Sequence, residues 1–174
     1  MSAVLWHEEP IRKHHDREAF DCGEPALNEF LRRHACKSHE LGGAKTFVAI
    51  DDSDGKTILG FYSLSPATVY ARTLETVESG QAAQEVPAFR LTHRAVDRPV
   101  QGRGLAGQLL LAAGRRCVLA STEVGGDALL IEARSERVAA WYASYGAMPR
   151  LDDPLTLVLP LKTIEGALRA GGNL

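Results

Sequence analysis

The chain has 174 residues, 45% of them hydrophobic and 24% charged, with a formal net charge of −2. That length supports one domain with a real core, and the charge gives no overall pull toward nucleic acid. No run of eighteen apolar residues offers a membrane span, MSAVLWHEEP is no secretion signal, and the odd cysteines Cys22, Cys36 and Cys117 lack metal-ligand spacing, so a cytoplasmic, metal-free protein is expected.

Residues 19–24, AFDCGE, predict a turn before Pro25, and proline suits the first turn of a helix. Leu27, Phe30, Leu31 and His34 recur at helical spacing, so the helix is expected from about Pro25 to Glu40, stopping before Gly42-Gly43. KTFVAI, DDSDGK and TILGFYSLS then read as strand, tight turn and strand, the second strand continuing toward ATVYA. Asp51, Asp52 and Asp54 belong to that turn rather than to a metal site, and Phe61 and Tyr62 to core and groove wall. Residues 72–86 show little period and predict a loop with a short helical turn.

PAFRLTHRAVD, 87–97, reads as a central strand, and RGLAGQLLLAAGRRCVLAST as a helix with Leu105, Leu109, Ala112 and Ala113 on one side. DALLIEA is an apolar strand after Gly125-Gly126. SERVAAWYASYG predicts a short helix capped by Ser135 and ended by Gly146. AMPRLD and PLTLVLPL predict two closing strands, and KTIEGALRAGGNL a helical turn followed by disorder. The expected fold is α/β, one domain over residues 1–162 around a mostly antiparallel sheet, with room for a parallel crossover within 88–133 and a flexible tail over 163–174.

VQGRGLAG, residues 100–107, puts three glycines at the head of the long helix. Gln101, Gly102, Arg103, Gly104, Leu105 and Ala106 would present successive backbone N–H groups at the positive end of that helix, which makes an anion cradle. Gly102, Gly104 and Gly107 satisfy GxGxxG, but no early βαβ unit precedes them and no acidic residue closes a second strand. No Lys-Ser/Thr pair follows for a P-loop.

LTHRAVDRPVQGRGLAGQLL resembles the pyrophosphate-binding segment of the GNAT acetyltransferases, whose Gln/Arg-x-x-Gly-x-Gly/Ala pattern maps onto Gln101, Gly104 and Ala106. Ala139–Ala147 resembles the family's later Ala-x-x-Phe-Tyr-x-x-x-Gly-Phe pattern, with Trp141 for phenylalanine and Ala147 for the final aromatic. FDCGEPALNEFLRRHA, GGAKTFVAI and ILGFYSLSP are similar to the N-terminal half of GNAT toxins from type II toxin–antitoxin systems, and the likeness runs over about residues 10–160.

The resemblance implies a GNAT acyl-CoA N-acyltransferase fold and acetyl-CoA as the donor. It implies acetylation of the free α-amine of aminoacyl-tRNA, a ribbon-helix-helix antitoxin and a homodimer. It assigns the pyrophosphate to the loop 101–106 and the pantetheine to the backbone of Arg94, Ala95 and Val96. Tyr142 matches the catalytic tyrosine, since a phenol with pKa about 10 can protonate a departing thiolate. Tyr145, three residues on, is the competitor on nearly the same helical face. Glu132 and His93 are secondary candidates as a base, and Asp97 is expected to form the turn before the loop. Arg90, Arg94, Arg98, Arg33 and Lys37 are the expected phosphate contacts. PLTLVLPL is the strand expected to pair or pack across the two-fold axis, the alternative being an interior edge strand of a monomer. A GNAT enzyme for a small-molecule or protein amine, and a non-catalytic acyl-CoA-binding protein, are the alternative readings.

Overall fold

The structure is a computed structural model that describes residues 4–70 and 85–172. Its contacts divide the chain into two compact units, Met1–Ser65 with Thr92–Leu110 and Pro66–Leu91 with Leu111–Leu174. The chain passes through each unit twice.

In the first unit, strand β1 (Trp6–Pro10) pairs antiparallel with β2 (Lys45–Asp51), which pairs antiparallel with the start of β3 (Ile58–Tyr70). The end of β4 (Glu85–Val96) lies next to β3, and Thr92 Oγ1 donates to Ser63 O at 3.3 Å. The Asp51–Asp54 segment between β2 and β3 is the expected turn. β1 carries no alternation that sequence could reveal. It forms because the open edge of β2 offers a ladder, from Trp6↔Asp51 to Pro10↔Phe47, and proline is tolerated on such an edge.

The expected helix over 25–40 is present in three consecutive pieces: α1 (Pro25–Glu29), a π-turn (Phe30–His34) and α2 (Ala35–Glu40). Leu31 and Ala35 are both fully buried, while Phe30 stacks on His93 with centroids 3.6 Å apart and planes at 6°. The wider turn lets neighbouring positions face both the core and His93. Ile11, Phe20, Leu27, Leu31, Val48 and Phe61 belong to the core of this unit.

In the second unit, Ala88–Leu91 of β4 pair in parallel with Ala128–Ile131 of β5 (Ala128–Glu132). The linking helix α3 (Leu105–Val124) makes this the expected crossover. β5 pairs antiparallel with β7 (Thr156–Pro160), which also pairs antiparallel with β6 (Met148–Pro149). Helix α4 (Glu136–Ala143) begins as expected, with Ser135 Oγ accepting from Val138 N at 3.2 Å. The fold is therefore mixed α/β with a mostly antiparallel sheet.

Two expectations change here. β7 is paired on both sides and Thr156–Leu159 are buried, so it is not a free strand for a two-fold axis. The flexible tail is instead helix α5 (Leu161–Ala170), because Leu161, Ile164 and Leu168 fall on one stripe and are buried. The helical turn expected within 72–86 falls largely on residues 71–84, outside the described ones.

α5 packs closely on Gly114 of α3: a Cβ there would stand 2.7 Å from Ile164 Cγ2. Alanine would gain about 1 kcal/mol in helix propensity, but forcing a methyl into a packed contact costs about 1–3 kcal/mol. Gly114→Ala is expected to lower stability on balance, read as a reduced denaturant midpoint with an unchanged slope.

Candidate functional site

The chain leaves β4 at Val96, and Asp97 N donates to Leu59 O at 2.9 Å, fixing the exit against β3. A single 3₁₀ turn (Arg98–Val100) follows, with Val100 buried. Gly102 and Gly104 then adopt φ of 78° and 84°, which lies in the left-handed region that residues with a Cβ enter only at a cost. A Cβ on either would meet no atom within 4 Å. These glycines serve the backbone path, and the space above them is open.

Gln108 N donates to Gly104 O at 3.2 Å, the first hydrogen bond of α3. The amides of Leu105, Ala106 and Gly107 therefore project from the helix end, where the macrodipole is positive. Leu105 anchors the turn in the core, while Gln101, Gly102, Arg103 and Gly104 are exposed. The expected loop is thus a surface of backbone donors.

Gln101 does something the motif did not predict. Its Nε2 donates to Val96 O at 2.9 Å and to Cys22 O at 3.0 Å, so this side chain ties the loop to the protein. On the strand side, Arg94 is half-buried and Ala95 and Val96 are buried in succession, which breaks the alternation of an ordinary strand. Gly60 of β3 permits this: a Cβ there would stand 3.0 Å from Ala95 O and 2.8 Å from Leu109 Cδ1. Sequence reading missed Gly60, whose only signal was a glycine inside an apolar strand.

The cofactor residues expected from the sequence, 94–96 and 101–106, all belong to the first unit, and Tyr142 belongs to the second. Tyr142 is buried on α4, edge-on to Trp141 with centroids 5.0 Å apart. The helix ends at Ala143, and Tyr145 lies beyond it, 38% exposed, in the turn closed by Gly146 at φ 101°.

Glu132 is exposed and accepts from Arg90 at 3.1 Å. His93 Nδ1 lies 2.9 Å from Thr92 Oγ1, with its ring held on Phe30. Arg98 lies 3.6 Å from the Asp21 carboxylate and Arg33 3.7 Å from Glu29, with each of the four side chains more than half exposed. Exposed pairs of this kind contribute about 0–1 kcal/mol. An incoming phosphate would exchange with them at little cost.

No protein-family model matches the chain. A tRNA-acetylating toxin of Mycobacterium tuberculosis is 35% identical over 147 residues, covering 84% of this chain and 87% of that protein. The solved structure of AtaT complexed with acetyl-methionyl-tRNAfMet gives a TM-score of 0.86 at 28% identity, covering 94% of this chain and 99% of that one. A tyrosine-to-phenylalanine mutant of AtaT, bound to the C-terminus of the antitoxin AtaR and to acetyl-CoA, gives 0.81 at 26% identity, covering 94% and 98%.

One cluster of ligand-type side chains lies elsewhere, and sequence reading did not single it out. Glu9, His14 and His15 bring three potential metal-ligand atoms within 4.8 Å of one another. Its chemistry argues against a metal. His15 Nδ1 accepts from Arg12 N at 2.9 Å, so the proton of the neutral ring sits on Nε2, which faces Glu9 Oε1 at 3.3 Å. A metal at Nε2 would have to displace that proton from a buried ring. Burial also lowers the His15 pKa, which keeps the ring neutral. Stoichiometric zinc is expected to leave the thermal midpoint unchanged; a stabilised protein would reassign the His15 tautomer.

Proposed function

This chain belongs to the tRNA-acetylating toxins of the GNAT fold, and from that premise we propose that it uses acetyl-CoA to acetylate the free α-amine of an aminoacyl-tRNA, removing that tRNA from translation. The observation that carries the reading is the loop at the head of α3. Two left-handed glycines leave open space beside amides that α3 itself cannot satisfy. A pyrophosphate fits that surface, because it needs many donors, a positive dipole and no intervening side chain.

In this reading the loop 101–106 holds the pyrophosphate of the donor, and the backbone of Arg94, Ala95 and Val96 aligns the pantetheine arm. The donor supplies a thioester, the chain supplies orientation, and the acceptor amine forms the new amide bond as the carbon–sulfur bond breaks. The amine loses a proton and the sulfur gains one, and Tyr142 is the group proposed to give it. No strong base is required, since an α-amine titrates near 7.7–8.0 and part of it is already neutral. Glu132, ion-paired and exposed, is not assigned a step.

The acceptor stem is proposed to lie on arginines such as Arg94 and Arg98, with Arg33 and Lys37 on the helices before β2. Phosphate contacts position the RNA without reading its sequence. A local patch suffices in a mildly acidic chain, because fields decay over about 8–10 Å at physiological salt. A ribbon-helix-helix antitoxin is the proposed partner, as AtaT is bound by the C-terminus of AtaR. A homodimer is also proposed, because tRNA is larger than one chain of this size can grip. Among the described residues no helix is long and apolar enough to cross a membrane.

Gly104→Glu, which adds backbone strain and a negative charge, is expected to abolish acetyl-CoA binding in a calorimetric titration; unchanged affinity in the folded variant would remove the donor from this loop. Tyr142→Phe is expected to lose about 10²- to 10⁴-fold in single-turnover rate with near-native melting and donor affinity, and a full rate would move the role to another group. Charged tRNA, uncharged tRNA and polyamines offered as acceptors separate the readings. Transfer to charged tRNA alone, weakening steeply with salt, is expected, while transfer only to polyamines would overturn the RNA acceptor. Light scattering is expected to give twice the chain mass, and a value of 18.8 kDa at micromolar protein would reject the dimer.

A further inference from the structure

The base of the donor loop is bound to a part of the chain that lies outside both motifs. Residues Asp21, Cys22 and Gly23 form a tight turn before α1, and three hydrogen bonds join this turn to the segment 97–101. Asp21 N donates to Asp97 Oδ1 at 2.9 Å, Arg98 N donates to Asp21 O at 2.9 Å, and Gln101 Nε2 donates to Cys22 O. Gly23, at φ 91°, lies under the Arg98 guanidinium, which a Cβ would meet at 3.2 Å.

The turn is braced from within by two side chains. Asp21 Oδ1 accepts from Gly23 N and from Asn28 Nδ2, each at 2.9 Å. Asn28 Oδ1 in turn accepts from Cys22 N at 2.9 Å. Asn28 is carried on α1, where its own amide donates to Glu24 O. These donors hold the Asp21 carboxyl below its ordinary pKa, the Gly23 amide first and Asn28 second. Desolvation pushes the partly buried Asp97 carboxyl the other way.

Asp21, Cys22 and Asn28 are half-buried and Gly23 and Glu24 exposed, so the turn itself adds little apolar core. Its polar groups are directed at one another and at 97–101. A glycine-rich loop that must present several amides to one anion loses affinity if it first has to be ordered.

We propose that Asp21 and Asn28 are positioning residues for the donor loop: they stiffen the Asp21–Gly23 turn, the turn fixes residues 97–101, and the amides ahead of α3 are thereby preorganised for the pyrophosphate that neither side chain touches. This rests on the reading that the loop 101–106 holds acetyl-CoA. Gln101 belongs to the same device, since its side chain bridges the turn and the end of β4.

The test uses the full chain, with acetyl-CoA titrations, steady-state kinetics and amide hydrogen exchange on Asp21→Ala, Asn28→Ala, Asp21→Asn and Gly104→Glu. Each alanine variant is expected to raise the acetyl-CoA Kd and KM about tenfold, the scale of one lost hydrogen bond. Their kcat at saturating donor should stay within about twofold, because the acid is untouched. Amides of Arg98 and Gln101 should exchange faster in both, with β2 and β3 unaffected. Asp21→Asn keeps an Oδ1 acceptor and is expected to restore most of the affinity, which a requirement for the charge would not allow. Unchanged donor affinity in the alanine variants, alongside loss in Gly104→Glu, would overturn the positioning role and leave the loop assignment standing. Normal binding by Gly104→Glu would overturn the loop assignment, and this inference with it. If neither alanine variant folds, the turn is a folding element and the proposal is rejected.

Discussion

The first amides of α3 have no acceptor within the helix itself, and the residues of the first unit around them hold the preceding loop in place. Unpaired donors at a helix end ordinarily find a capping side chain or water. Here the residues ahead of Leu105 include two glycines in left-handed conformations, and neither has a side chain that could fold back as a cap. The freedom glycine brings is restrained from below. Val100 and Leu105 are buried on either side of the loop, Gln101 is tied at two carbonyls, and Asp97 and Arg98 are fixed against β3 and the turn before α1. The loop is open on one face and held on the other.

The same constraint explains features that look unrelated. Gly60 is needed because Ala95 and Leu109 both press against β3 at one point. Within the π-turn, Leu31 fills the core while Phe30, its neighbour, stacks on His93. His93 is held by that ring stack and lies 2.9 Å from a threonine hydroxyl.

Charge is distributed in a way that net charge conceals. The chain is slightly acidic overall, yet several arginines near the loop and on the helical segment are matched by single exposed carboxylates: Arg98 by Asp21, Arg33 by Glu29, Arg90 by Glu132. Such pairs are weak in water, so they would compete little with a phosphate. Aminoacyl-tRNA as acceptor is compatible with that arrangement because RNA binding depends on local contacts more than on total charge.

Most of the architecture was legible in the sequence because its signals are local. The Asp-Gly turn between β2 and β3, the apolar run of β5, the serine cap of α4 and the glycines before α3 each specify their own conformation within a few residues. The candidate loop and Tyr142 were legible for the same reason, as short patterns with fixed spacing. What sequence could not reveal is set by distant partners. β1 exists because β2 has an edge to pair with, α5 because Ile164 packs against Gly114, fifty positions away in the chain. β7 is interior because β6 returns to it. Tyr142 is buried and Tyr145 exposed because the helix ends between them and the chain turns at Gly146. The role of Asp21 and Asn28 likewise depends on hydrogen bonds spanning more than seventy residues. Residue type and spacing determined which chemistry the chain carries; only tertiary packing decided which groups are held rigid, because rigidity comes from contacts that periodicity does not encode.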